Sequence, residues 1–217
     1  MSNLVNFSRQ TGIFDPEDFS DKRVTIIGMG AIGSFTAITL AKMGIKNLNI
    51  YDFDKITPHN IPNQFYKIKQ VGMSKVDAIC YIIKEFSESD IFFGDKFTKD
   101  AKVNGDIVIS LVDKMETRKI IFEKTRKLGI PFIDARMGGE YLRVYAVTDK
   151  KSENRYKETL YSDEKTEPLR CTERSIIFNP LIASGFISIL VKKILKKEKL
   201  PFEILGDLKT IEFFKTF

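Results

Sequence analysis

Arg23-Val24-Thr25-Ile26-Ile27-Gly28-Met29-Gly30-Ala31-Ile32-Gly33 decides the fold. The first half is a short β-branched run with no polar interruption after Thr25, as a strand buried on both faces requires. The second half fits G-x-G-x-x-G: the first glycine permits a tight turn, the second lets a phosphate approach the backbone, and the third lets helix pack on strand. Ala31 to Lys42 follows with helical spacing, Ile32, Phe35, Ile38, Thr39 and Met43 sharing a face, until Gly44 stops it. The free N–H groups and dipole of that helix then face any anion at the turn.

Outward from this unit the alternation continues. Leu48 to Tyr51 reads as a second strand with Asp52 at its carboxyl end, about 20 residues past Gly33, where a carboxylate accepts hydrogen bonds from ribose hydroxyls. Ser74 to Phe86 reads as a helix capped by Ser74. Strands are expected over Asp106 to Val112 and Ile130 to Ala135, with a helix over Met115 to Leu128 ending at Gly129 between them. Glu140 to Thr148 alternates apolar and polar residues, as an antiparallel strand with one solvated face does. Residues 149–170 are dense in Lys, Glu, Ser and Asp and read as a long, mobile crossover loop. A helix over Ile182 to Lys197 and one or two terminal strands within Glu203 to Phe217 complete the chain. The expected fold is one α/β domain over 1–217, Rossmann-like, its sheet predominantly parallel and flanked by helices, with an antiparallel C-terminal extension.

Composition agrees with an ordinary globular chain: 217 residues, 43% hydrophobic and 29% charged. No uninterrupted run of about 18 apolar residues is present, so no membrane span is expected, and Met1 to Asp15 lacks the apolar core of a secretion signal. Cytoplasm is the expected compartment. Cys80 and Cys171 are too few for a disulfide framework or a structural zinc site. Cys80 lies on an apolar helical face and reads as core. The net charge of +6 favours ATP, an acidic carrier protein or RNA as partner, although the run Lys192, Lys193, Lys196, Lys197 and Lys199 reads first as a solvated helix face. His59 is the only histidine, so no Ser-His-Asp or Cys-His arrangement exists within the chain.

The glycine motif points to a nucleotide without naming it; from that segment alone NAD is the first reading, and glycines needed only for a tight turn the plain structural one. The next segment separates ATP from NAD. Asp54 adds a second carboxylate two residues after Asp52, Asn60 an amide six further on, and Lys75 a cation at the start of the next helix. A dehydrogenase has no use for a lysine aimed at a polyphosphate, whereas an adenylating enzyme must neutralise a pyrophosphate leaving group.

In these residues the chain resembles the ubiquitin-activating-enzyme-like superfamily, over about residues 6–200. Asp52, Asp54, Asn60 and Lys75 match its strand-borne D-x-D, Asn and G-x-x-K in order. Asn6-Phe7-Ser8-Arg9-Gln10 looks like its N-terminal R-Y-x-R-Q, and Asp113 followed by Arg118 looks like its Mg²⁺-holding Asp. The resemblance implies ATP on Gly28, Gly30 and Gly33 with its ribose on Asp52. It implies Mg²⁺ on Asp113, positive charge from Lys75 and from a partner subunit's arginine equivalent to Arg9, and positioning by Asp54 and Asn60. It further implies adenylation of a carboxylate, the C-terminus of a small ubiquitin-like or sulfur-carrier protein, by a homodimer or a heterodimer with a related subunit. Cys171 matches a cysteine that some relatives use to take the acyl group, with Arg170 and Arg174 favouring its thiolate; its other reading is a small buried hydrophobe. Three departures stand out: Asn63 and Asn6 replace family arginines, and the four zinc cysteines of many relatives are absent. The length suggests a minimal adenylation unit. The alternatives are a tRNA-modifying dehydratase of the same superfamily, a non-catalytic partner subunit, for which Asn63 speaks, and an NAD(P)-dependent oxidoreductase.

Overall fold

Every central strand divides its side chains between two cores, as the two-residue period of extended chain requires. The computed structural model describes residues 5–94, 97, 103–161 and 175–217. In these, β1 (Arg23–Ile27), β2 (Asn47–Tyr51), β3 (Asp90–Gly94), β4 (Ile107–Ser110) and β5 (Phe132–Gly138) pair in parallel. β6 (Tyr141–Val147), β7 (Glu203–Asp207) and β8 (Glu212–Thr216) add antiparallel to β5, in the order β3-β2-β1-β4-β5-β6-β7-β8. Val24, Ile26, Ile107, Ile109, Ile133, Leu142 and Val144 enter one core, beneath α1 (Ala31–Met43), α2 (Lys75–Lys84) and α5 (Phe178–Leu195). Ile27, Val108, Phe132, Tyr145 and Val147 enter the other, beneath α3 (Met115–Lys127) and α4 (Lys150–Glu158). Helices on both faces of a mostly parallel sheet are the expected fold class, antiparallel extension included.

Four local expectations change. β3 is not among the expected strands: it is a short edge strand, half of it solvated, whose polar start at Asp90 hides the alternation, yet it pairs with all of β2. The loop expected at 149–170 begins instead with α4. Asp149 accepts the Ser152 N–H at 2.7 Å as its N-cap, and Tyr156, fully buried, packs on Phe122, Phe132 and Tyr145 at ring distances of 4.7–5.5 Å. Such aromatic pairs are worth about 0.5–1.5 kcal/mol each beyond their burial, so one anchor holds a helix that is otherwise polar. Residues 162–170 of that expected loop lie outside the described residues. Ser74 does precede α2, but its side chain makes no capping bond.

α5 starts at Phe178, four residues before the expected Ile182, with Asn179 buried and donating to the Gly139 and Tyr141 carbonyls at 2.9 and 3.1 Å. By length and composition this helix is apolar enough to cross a membrane, its mean hydropathy being 1.4. In the fold it is a core helix, burying Ala183, Ile187, Leu190 and Val191 against α1 and the β5–β6 pair.

Candidate functional site

The chain leaves β1 toward β2 on one side and returns from β3 to β4 on the other, so the carboxyl ends of β1 and β4 form the switch point of the sheet, where open α/β sheets bind ligands. Gly28 closes the first loop with φ +100°, its N–H donating to Tyr51 O at 2.8 Å. A Cβ there would stand 2.6 Å from the carbonyl oxygen of Leu111, so β4 lies directly against the turn. At Gly33 a Cβ would stand 2.8 Å from the Gly28 carbonyl carbon and closer still to its oxygen, which holds α1 tight to β1. Gly30, the N-cap of α1, is different: a Cβ there meets nothing within 4 Å. No neighbouring atom demands a glycine at 30, and the residue caps a helix whose first N–H groups are free to meet an anion.

Asp52 is fastened to this turn. Its Oδ2 accepts the Met29 N–H at 2.6 Å and its Oδ1 the Asp54 N–H at 2.7 Å. Burial pushes its carboxyl above the ordinary value, opposed by the Lys75 charge and the two backbone N–H groups. Lys75 is itself buried, its Nζ 2.7 Å from Asp54 Oδ2, and Asp54 remains half exposed. The Lys75 N–H to Asp54 O bond of 3.0 Å sets the first turn of α2 beside the D-x-D. A buried ammonium with a solvated, displaceable carboxylate partner can exchange it for a phosphate oxygen. Asn60 shapes its own loop, where its Oδ1 accepts the Thr57 N–H at 2.9 Å and closes a 3-10 turn.

Tyr66, which the sequence did not single out, donates to the Met29 carbonyl at 2.7 Å, and the Phe65 N–H donates to Ser34 Oγ at 2.9 Å. Together they clasp the segment after Asn60 over the glycine turn. The side-chain carbonyl oxygens of Asn63 and Gln64 in that segment are buried without a hydrogen-bond partner.

Asp113 follows β4 and is exposed at the start of α3. One turn on, the Arg118 guanidinium donates to the Val112 carbonyl and pairs with Asp134 of β5; burial pulls its pKa down to about 10. Among the described residues no group of three or more His, Cys, Asp or Glu could hold a metal ion. A lone carboxylate fits the mode of Mg²⁺, which keeps its waters and is shared with substrate phosphates.

The structure therefore joins Gly28, Gly30 and Gly33 to Asp52, Asp54 and Lys75, while Asn60 and Asp113 stand on the loops that follow β2 and β4. It does not bring Arg9 there. Arg9 is exposed on a segment held to the far end of α1 by the Gln10 Nε2 to Met43 O bond of 2.8 Å. The 13 residues of α1 span ~20 Å between them. Cys171 lies outside the described residues. Cys80 is core as expected, burial raising its thiol to about 11. Asp134 and Arg136 escape the sequence reading, though a carboxylate inside an apolar strand is a readable signal.

A model of the ThiF family matches residues 7–216. Ubiquitin-like modifier-activating enzyme 5 of Drosophila grimshawi is 30% identical over 138 residues, 55% of this chain and 35% of that protein. The same enzyme of Bombyx mori is 31% identical over 137 residues, again 55% and 35%. The chain thus spans about a third of the length of these curated relatives. Among solved structures, PaaA superposes with a TM-score of 0.74 at 20% identity, covering 92% of this chain and 65% of that one. E. coli MccB with ATP superposes with a TM-score of 0.72 at 16% identity, covering 93% and 65%. At such identities these structures speak for the fold.

Proposed function

The chain belongs to the ThiF family, and from that premise we propose that it adenylates a carboxylate with ATP and releases pyrophosphate. The observation that carries this reading is the Gly28–Gly33 turn with Asp52 fastened to Met29 and buried Lys75 paired with Asp54, from the ends of β1 and β2. ATP is the co-substrate. Its phosphates lie before α1 at Gly30, and its ribose hydroxyls donate to Asp52. Lys75 leaves Asp54 for a phosphate oxygen, meeting the charge that builds on the pyrophosphate as a carboxylate attacks the α-phosphorus. Asp113, exposed after β4, would hold a Mg²⁺ entering with ATP, and that ion would supply charge neutralisation. An NAD(P) enzyme has no use for this lysine or for Asp113.

The proposed acyl substrate is the C-terminus of a small ubiquitin-like or sulfur-carrier protein. The curated relatives are named for activating ubiquitin-like modifiers, which supports this class. Arg9, too far from its own glycine turn, serves the site of a neighbouring subunit, so the working unit is a homodimer or a heterodimer with a related chain. Asn63 removes one phosphate-facing charge of the family pattern, and such a contact is worth about 2–4 kcal/mol in a transition state.

Calorimetric titration with ATP plus Mg²⁺, with NAD⁺, and of the Asp113→Ala variant tests the reading. Mg²⁺-dependent ATP binding, weakened by the substitution and absent for NAD⁺, is expected. Binding of NAD⁺ instead would overturn it. ATP binding without pyrophosphate exchange, in the presence of Gly-Gly-ended carriers, would favour the non-catalytic subunit.

A further inference from the structure

Asp134 sits within β5 with no exposed surface, on the face beneath α3 and α4. Both its oxygens are held by guanidinium groups, Oδ1 by Arg118 Nη1 and Oδ2 by Arg136 Nε at 2.8 Å. Arg136 is in turn tied to the end of α4, donating to the carbonyl and hydroxyl of Thr159 at 3.0 Å each. Its guanidinium lies 5.0 Å from the Tyr145 ring centre. Arg118 faces the other way, its Nη2 on the carbonyl of Val112, the residue before Asp113.

The side chains of Arg118, Asp134 and Arg136 are 5%, 0% and 16% exposed, so two cations share one anion out of water. Such a cluster keeps its geometry only while its anion is present, because removing it leaves buried like charges to move apart. The part that would move is the fork gripping Val112. Stability alone does not require that fork to end on the residue beside Asp113.

We infer that Asp134 is a positioning residue for Asp113: it locks the Arg118 guanidinium, which clamps the Val112 carbonyl and so aims the Asp113 carboxylate at the nucleotide. The inference rests on the proposed function in taking Asp113 as the carboxylate that meets Mg²⁺-ATP. Partners that orient a metal-binding carboxylate change metal affinity about 10–100-fold when removed.

The test uses the full chain and three variants: Asp134→Asn, Arg118→Lys, which keeps the charge but loses the fork, and Arg136→Gln, which leaves the Arg118 clamp intact. ATP binding is measured by calorimetry with EDTA and across a Mg²⁺ series. Asp134→Asn and Arg118→Lys are expected to raise the Mg²⁺ needed for half-maximal binding about tenfold or more, with metal-free affinity unchanged. Arg136→Gln is expected to lower thermal stability without moving the Mg²⁺ dependence. Should Asp134→Asn not fold, Arg118→Lys decides. Variants that fold and show unsubstituted Mg²⁺ dependence would reduce Asp134 to a core ion pair and overturn the inference. If the unsubstituted chain binds no ATP, the functional reading fails by itself. The clamp is then judged by amide hydrogen exchange at Leu111 and Arg118, whose N–H groups bond to Ile27 O and Lys114 O. Faster exchange in Asp134→Asn upholds the clamp, and unchanged exchange refutes it.

Discussion

Alanine at Gly30 and alanine at Gly33 separate a glycine kept for a ligand from one kept for packing. At Gly33 the new Cβ would press on the backbone of Gly28, 2.8 Å from its carbonyl carbon. Neither group is a flexible side-chain end, so α1 must lift from β1. Overpacking of this kind costs about 3 kcal/mol, which for a chain of this size lowers Tm by ~6–12 °C. At Gly30 the Cβ meets nothing within 4 Å, and the backbone, at φ −73° and ψ −147°, is outside the left-handed region. Loss of a favourable N-cap costs about 0.5 kcal/mol. Gly30→Ala should therefore unfold within about 1 kcal/mol of the unsubstituted protein. Its methyl group nevertheless occupies the space before the α1 N–H groups. A phosphate that cannot close on them loses a charge-assisted bond, worth about tenfold or more in affinity. Denaturant unfolding and calorimetry with Mg²⁺-ATP read the two quantities separately. If Gly30→Ala unfolds as early as Gly33→Ala, Gly30 is structural and the argument from its open space is wrong. If it is stable and binds ATP undiminished, the phosphates do not lie there.

Three further outcomes are expected. In a Cys171→Ser background, Cys80 should resist iodoacetamide at pH 7.5 and react only as the pH approaches about 11 or the protein unfolds, since burial disfavours its thiolate; rapid labelling at neutral pH would show the helix face to be open. Asp149→Ala should cost about 1 kcal/mol in denaturant unfolding through loss of the α4 cap. The Ser152 N–H and hydroxyl hold the Asp149 carboxyl below its ordinary 3.8, so this contribution is present above that value and fades as pH falls below it, and a difference between the two proteins that did not begin to shrink below that value would contradict the cap. Tyr66→Phe leaves the Met29 carbonyl without its donor and should lower stability by about 1–3 kcal/mol; an unchanged unfolding curve would mean that the clasp over the glycine turn is not formed in solution.

The sequence by itself determined the strand–turn–helix of residues 23–43, the carboxylates after β2, the lysine opening α2 and the mixed sheet. Each follows from neighbours along the chain: a period of two or of 3.6, a glycine where only glycine fits, a carboxylate at a strand end. It also carried the family pattern, which the match over residues 7–216 bears out. Only the tertiary structure decided that Gly30 stands in open space while Gly28 and Gly33 do not, because that depends on where Leu111 and Gly28 lie, not on the motif. It turned the polar segment after Asp149 into a helix, because one tyrosine found an aromatic socket built from α3, β5 and β6. It set Arg9 a helix length from the turn and joined Asp134 to two arginines of different elements. Burial and ion pairing between groups far apart in sequence exist only once the sheet brings them into one low-dielectric space, and no local pattern records them.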